Sequence, residues 1–148
     1  MTETTRVRAP SSGARVVFTV QVALLAVYLI GSLGLLLCAM NRTGDSAAFF
    51  HPGVERLGDP KDAIPPIGPD STSNPLVWIF GLSRVIAIFV RPLALAMTAL
   101  GTAFLATSWR AGNRRAVHLV AAGTAAWLAV GALSLTPYGD ALLGWLLD

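Results

Sequence analysis

The chain has 148 residues, of which 54% are apolar and only 13% charged, and eleven Lys+Arg against eight Asp+Glu leave a net charge of +3. A soluble domain carries about 25% charged residues, so a globule this small and this poor in charge could not cover its surface with polar groups. A soluble enzyme, a disordered tail and a disulfide scaffold are disfavoured together, and the mean hydropathy of +0.63 points to an integral membrane protein.

The basic residues flank apolar runs instead of gathering with aromatics on one polar face, which argues against nucleic acid as a partner. The single cysteine, Cys38, excludes an internal disulfide or a cysteine-based metal cluster. All but one of the basic residues are arginine, and with the abundance of Ala, Val and Leu this suggests a GC-rich bacterial genome.

Residues 1–15 are polar and basic and read as a cytoplasmic tail. Residues 16–40 hold no ionisable group except Cys38; Thr19, Gln21 and Ser32 are the only clearly polar members. That length gives roughly 37 Å of helix, enough to cross a hydrocarbon core about 30 Å thick. The run is too long for a secretory signal and lacks small residues in cleavage spacing, so it reads as a first transmembrane helix.

Residues 41–75 carry six prolines and form an extracytoplasmic loop in this reading. Proline lacks an N–H and fixes φ, so no long helix runs through its second half. Residues 49–57 suit a short helix or turn with aromatics on the membrane surface. His51, Glu55, Asp59, Asp62 and Asp70 read as solvated charges.

Residues 76–109 would make about 51 Å of helix, too long for one span. Two short spans meeting at Pro92 would lack a polar turn, and one tilted helix would drag Arg84 and Arg91 into lipid. The favoured reading breaks or kinks the run at Pro92. Residues 92–109 then form the second span, and residues 76–91 an outer interfacial or projecting helical segment. Residues 110–115 make a tight basic turn, and residues 116–135 a third span. Residues 136–148 form an interfacial C-terminus marked by Tyr138 and Trp145.

The fold class expected is therefore an all-α integral membrane protein with three transmembrane helices. Arg6, Arg8, Arg15, Arg110, Arg114 and Arg115 share one side, which the positive-inside rule makes cytoplasmic together with the N-terminus. The localisation expected is the bacterial cytoplasmic (inner) membrane.

Arg84 and Arg91, seven residues apart and on one helix face, are candidates for lipid-headgroup or anion contact, with Asp140 and Asp148 as outer counter-ions. His118, three residues past Arg115, belongs at the cytoplasmic boundary. Small residues at four-residue spacing offer a helix-packing face: Ala99 and Ala103 on the second span, and Ala121, Ala125 and Ala129 with Ala122 and Ala126 on the third. In lipid, close backbone approach through small side chains favours association.

No nucleotide, hydrolase or zinc motif occurs, and no catalytic residue, metal or cofactor is nominated. The function expected is a non-catalytic accessory or assembly subunit, with membrane lipids and other membrane subunits or itself as partners. The alternatives are an oligomeric channel or carrier using Arg84 and Arg91, and an outer-leaflet enzyme using the loop residues.

Overall fold

The computed structural model describes residues 12–64 and 75–148. The basic tail through residue 11 and the loop residues 65–74, including Pro65, Pro66, Pro69 and Asp70, lie outside the described residues. Every regular element described is helical. Three helices, Ser12–Thr43 (α1), Val90–Arg110 (α4) and Arg114–Ser134 (α5), are long and apolar enough to cross a membrane, as suits a multi-pass membrane protein.

The 32-residue α1 overruns the expected span at both ends. It holds no proline, and its only charged residues, Arg15 and Arg42, sit in its end turns, so nothing stops it until Gly44. There a φ of +71° lets the chain leave while the Gly44 N–H donates to the Met40 carbonyl at 2.8 Å; glycine adopts this left-handed turn without penalty.

Helix α3 (Pro75–Ile88) and α4 form one rod broken at Phe89. Pro92 has no N–H to offer the Ile88 carbonyl. The ladder slips to a tighter bond, Phe89 N–H to Ile86 O at 3.1 Å, and resumes with Leu93 N–H to Phe89 O at 2.8 Å. Residues 111–113 turn the chain, with Gly112 at φ +66°. Asn113 then caps α5 by accepting from the Ala116 N–H at 3.2 Å.

A second broken rod joins α5 to α6 (Pro137–Leu147). Thr136 caps α6 by accepting from the Gly139 N–H at 3.1 Å, and Pro137 occupies the first helical position, where its missing N–H costs nothing.

The chain thus makes three rods of similar length. Gly13 packs on Phe104, Gly31 on Ser83 and Gly34 on Phe80, so α1 runs antiparallel to α4 and α3 along its whole length. Ala14 packs with Ala116 and Val120, which makes α1 parallel to the α5–α6 rod. Helix α3 therefore projects along the C-terminal half of α1 as part of the bundle and does not peel away from it.

One sequence expectation is refined and another corrected at this end of the bundle. Residues 44–64, expected as a loop with a short helix or turn within residues 49–57, form a folded cap. The cap comprises a 3-10 turn Ser46–Phe49, a single helical turn α2 (Val54–Leu57) and a second 3-10 turn Pro60–Ala63, which bury Ala48, Leu57, Pro60 and Ala63. Asp45 and Asp59 cap the two 3-10 turns, accepting from Ala47 N–H at 3.0 Å and Lys61 N–H at 2.8 Å. Trp145, expected at the interface, is only 2% exposed. It packs with Leu35, Leu36, Ala39, Leu57, Phe80 and Leu146 and donates its indole N–H to the Gly58 carbonyl at 3.0 Å.

Candidate functional site: a sealed helix junction and a bridging arginine

The three long helices meet at Gln21. Its side chain has 0% exposure; Nε2 donates to the Met97 carbonyl at 3.1 Å and reaches Thr124 Oγ1 at 3.5 Å. Its own backbone carbonyl accepts the indole N–H of Trp127 at 3.0 Å. Room for the amide comes from two glycines. A Cβ at Gly101 would collide with Thr124 Oγ1 and lie 2.8 Å from Gln21 Nε2, and one at Gly123 would collide with Gln21 Oε1. Oε1 and the Ser83 hydroxyl are the buried side-chain oxygens without a hydrogen-bond partner among the described residues. Where water is absent, a polar side chain that bonds across helices, as Gln21 does through Nε2, favours their association.

This junction was not foreseen. Gln21 was visible as a rare polar residue in an apolar run, but its partners lie 76 and 103 residues away. The predicted packing residues sit elsewhere. Ala99 and Ala103 on α4, and Ala122, Ala125 and Ala129 on α5, are exposed, and Ala121 and Ala126 are half-buried. The α4–α5 contact falls instead on Ala94 against Gly131 and Gly101 against Thr124. Four-residue spacing shows which residues share a face, not which neighbour that face meets.

Arg91 stands where both broken rods are interrupted. Its Nε and Nη2 donate to the Ser134 carbonyl at 3.2 and 2.9 Å, and Nη2 also pairs with the Asp140 carboxylate. One guanidinium thereby satisfies a carbonyl left over at the end of α5 and fixes the first turn of α6. Arg84, two turns earlier on the same rod, is half-buried, and its charge reaches Asp59. Asp148, the other expected counter-ion, accepts from Lys61 Nζ at 3.1 Å through its backbone carbonyl.

The cap carboxylates are spread over separate contacts. Asp45 pairs with Arg56 at 3.0 Å, Asp59 with Lys61 at 3.6 Å and Asp62 with Arg42 at 3.8 Å. His51 and Glu55 are exposed. Among the described residues no three His, Cys, Asp or Glu side chains converge as a metal site would require. The bond from the Lys61 N–H holds the Asp59 carboxyl below its ordinary value, against a smaller opposing effect of desolvation, and the charges of Lys61 and Arg84 add to the lowering.

A hollow of about 400 Å³ opens at the other end, lined by Trp109, Gly112, Asn113, Arg114, Val117 and His118. An apolar groove of about 310 Å³ runs between α4 and α5 below Arg91.

Searches of known families, curated proteins and solved structures find no match to this chain.

Proposed function

We propose that this chain is a non-catalytic accessory or assembly subunit of the bacterial cytoplasmic membrane, crossing it three times with its N-terminus inside. It acts by packing against a larger membrane complex or against a second copy. The observation that carries this reading is the outward face of α3 and the break that follows it, where Leu82, Val85, Ile88 and then Phe89 are each half or more exposed.

The depth of that face follows from two interfacial markers. From the exposed Trp109 to Arg91 is roughly 27 Å of helix, close to the thickness of the hydrocarbon core. With Trp109 at the inner interface, Arg91 and Asp140 lie near the outer headgroups, and α3 extends beyond the lipid tails together with the part of α1 it packs against, from Tyr28 onward. An apolar patch of that kind outside the hydrocarbon needs a protein cover. The exposed alanines Ala99 and Ala103 of α4 and Ala122, Ala125 and Ala129 of α5 offer further smooth surface within the membrane.

The test uses the full chain in native membranes with Val85→Cys and Cys38→Ser. A photoreactive maleimide on residue 85 is expected to give a discrete crosslinked product. Val85→Glu, exposed and so harmless to the fold, is expected to abolish co-purification in mild detergent. A monomer under both conditions would overturn the reading.

A further inference from the structure

Among the described residues, the four arginines at the turn end of the bundle, Arg15, Arg110, Arg114 and Arg115, have no acidic neighbour. All six described acids, Asp45, Glu55, Asp59, Asp62, Asp140 and Asp148, lie at or toward the cap end, and the four ion pairs among the described residues all form there. Of these four, Arg114 lines the hollow of about 400 Å³ between Trp109 and the first turns of α5. Arg114 and His118, four residues apart and so on one side of α5, line it together and are both exposed. Val117 and the indole of Trp109, 75% exposed, give it an apolar wall on the membrane side.

We propose that this hollow seats one anionic phospholipid, with its phosphate held by Arg114 and His118 and the upper part of an acyl chain laid on Trp109 and Val117. The charge is complementary, and a guanidinium matches a phosphate with paired, charge-assisted hydrogen bonds. The apolar wall beside the cationic mouth distinguishes a lipid from a free anion, which would leave Trp109 and Val117 uncovered. Basic residues next to a span attract anionic lipid in any case; the hollow converts a diffuse attraction into a seat. The proposal rests on the membrane reading above.

Native mass spectrometry of the full chain in neutral detergent, with equal amounts of phosphatidylglycerol and phosphatidylcholine, tests it. The unaltered protein is expected to retain one phosphatidylglycerol in preference by about fivefold or more, the factor expected from a single basic contact at a membrane surface. Arg114→Gln with His118→Gln should remove that preference. Arg114→Lys should keep part of it. Arg115→Gln, which removes the same charge outside the hollow, should leave it unchanged. Equal loss in Arg115→Gln, no preference in the unaltered protein, or displacement of the lipid by excess inorganic phosphate would each overturn the proposal. Circular dichroism checks that the variants remain helical. Failure here while the protein resists alkaline extraction from membranes would sink the lipid seat alone; release by alkali would sink the membrane reading.

Discussion

At Gln21 two effects of different size meet, and substitution separates them. Gly101→Val would drive a branched side chain into Thr124 and the Gln21 amide, and overpacking a tight contact costs about 1–3 kcal/mol or more. Gln21→Leu keeps the volume and removes bonds to Met97 and Thr124, and bonds between helices in membranes are worth about 0.6 kcal/mol on average. Thermal unfolding in detergent is therefore expected to show a clearly larger drop for Gly101→Val than for Gln21→Leu. The reverse order would mean that the amide, not the close approach, holds the junction.

Asp59 gives a pH prediction of definite sign. Its folded carboxyl is held below the ordinary value of 3.8, chiefly by the Lys61 N–H. The unfolded chain therefore binds the proton more readily, and stability rises with pH through this window. The contribution is complete above the ordinary value and fades as pH falls through the lower folded one. Because Trp145 is bonded to Gly58 beside it, tryptophan emission reports the cap. An acid titration of the unaltered protein is expected to show a cap transition at that low pH, and Asp59→Asn should weaken the cap at neutral pH while flattening the acid limb.

Among the elements, the aligned breaks are the feature that a sequence half reveals. Pro92 and the pair Thr136-Pro137 announce two interruptions. Nothing local says that both fall at one level or that Arg91 spans them, because Ser134 is 43 residues from Arg91. The same limit hid the cap. Prolines counted as breakers there, although Pro60 starts a 3-10 turn, and the bond that ties α6 to the cap joins residues 87 apart. Helix existence and the polar turn at Gly112 were legible because period, charge and chain reversal are local properties. Arg91→Ala leaves the Ser134 carbonyl and Asp140 without their guanidinium. Hydrogen exchange is expected to quicken in α6 amides while the middle of α5 stays protected, with Arg91→Lys falling between because an ammonium lacks the planar fork. Equal protection of α6 in all three proteins would show that Leu142, Leu143 and Leu146 alone hold it.

For the molecule as a whole, the sorting of charge along the long axis is the property from which the positive-inside rule assigns a direction in a membrane. Arg15, Arg110, Arg114 and Arg115 stand at one end with no described acid beside them, whereas the cap end holds six described acids against Arg42, Arg56, Lys61, Arg84 and Arg91. Short segments rich in arginine beside a span are retained in the cytoplasm, and a turn of three residues between α4 and α5 is well inside the length over which that bias acts. Single cysteines in a Cys38→Ser background read the outcome in intact cells. Glu55→Cys on the cap is expected to react with an impermeant maleimide, and Ala111→Cys in the turn only after the membrane is opened. Replacing Arg110, Arg114 and Arg115 together by Gln should let a fraction of chains expose residue 111 outside, because the retained charge then falls to the N-terminal side alone. If Ala111→Cys reacts in intact cells without those replacements, the turn faces outward. The depth assigned to α3 from Trp109 and Arg91 would then apply to the opposite leaflet, and a partner for Leu82, Val85 and Phe89 would have to be sought on the cytoplasmic side.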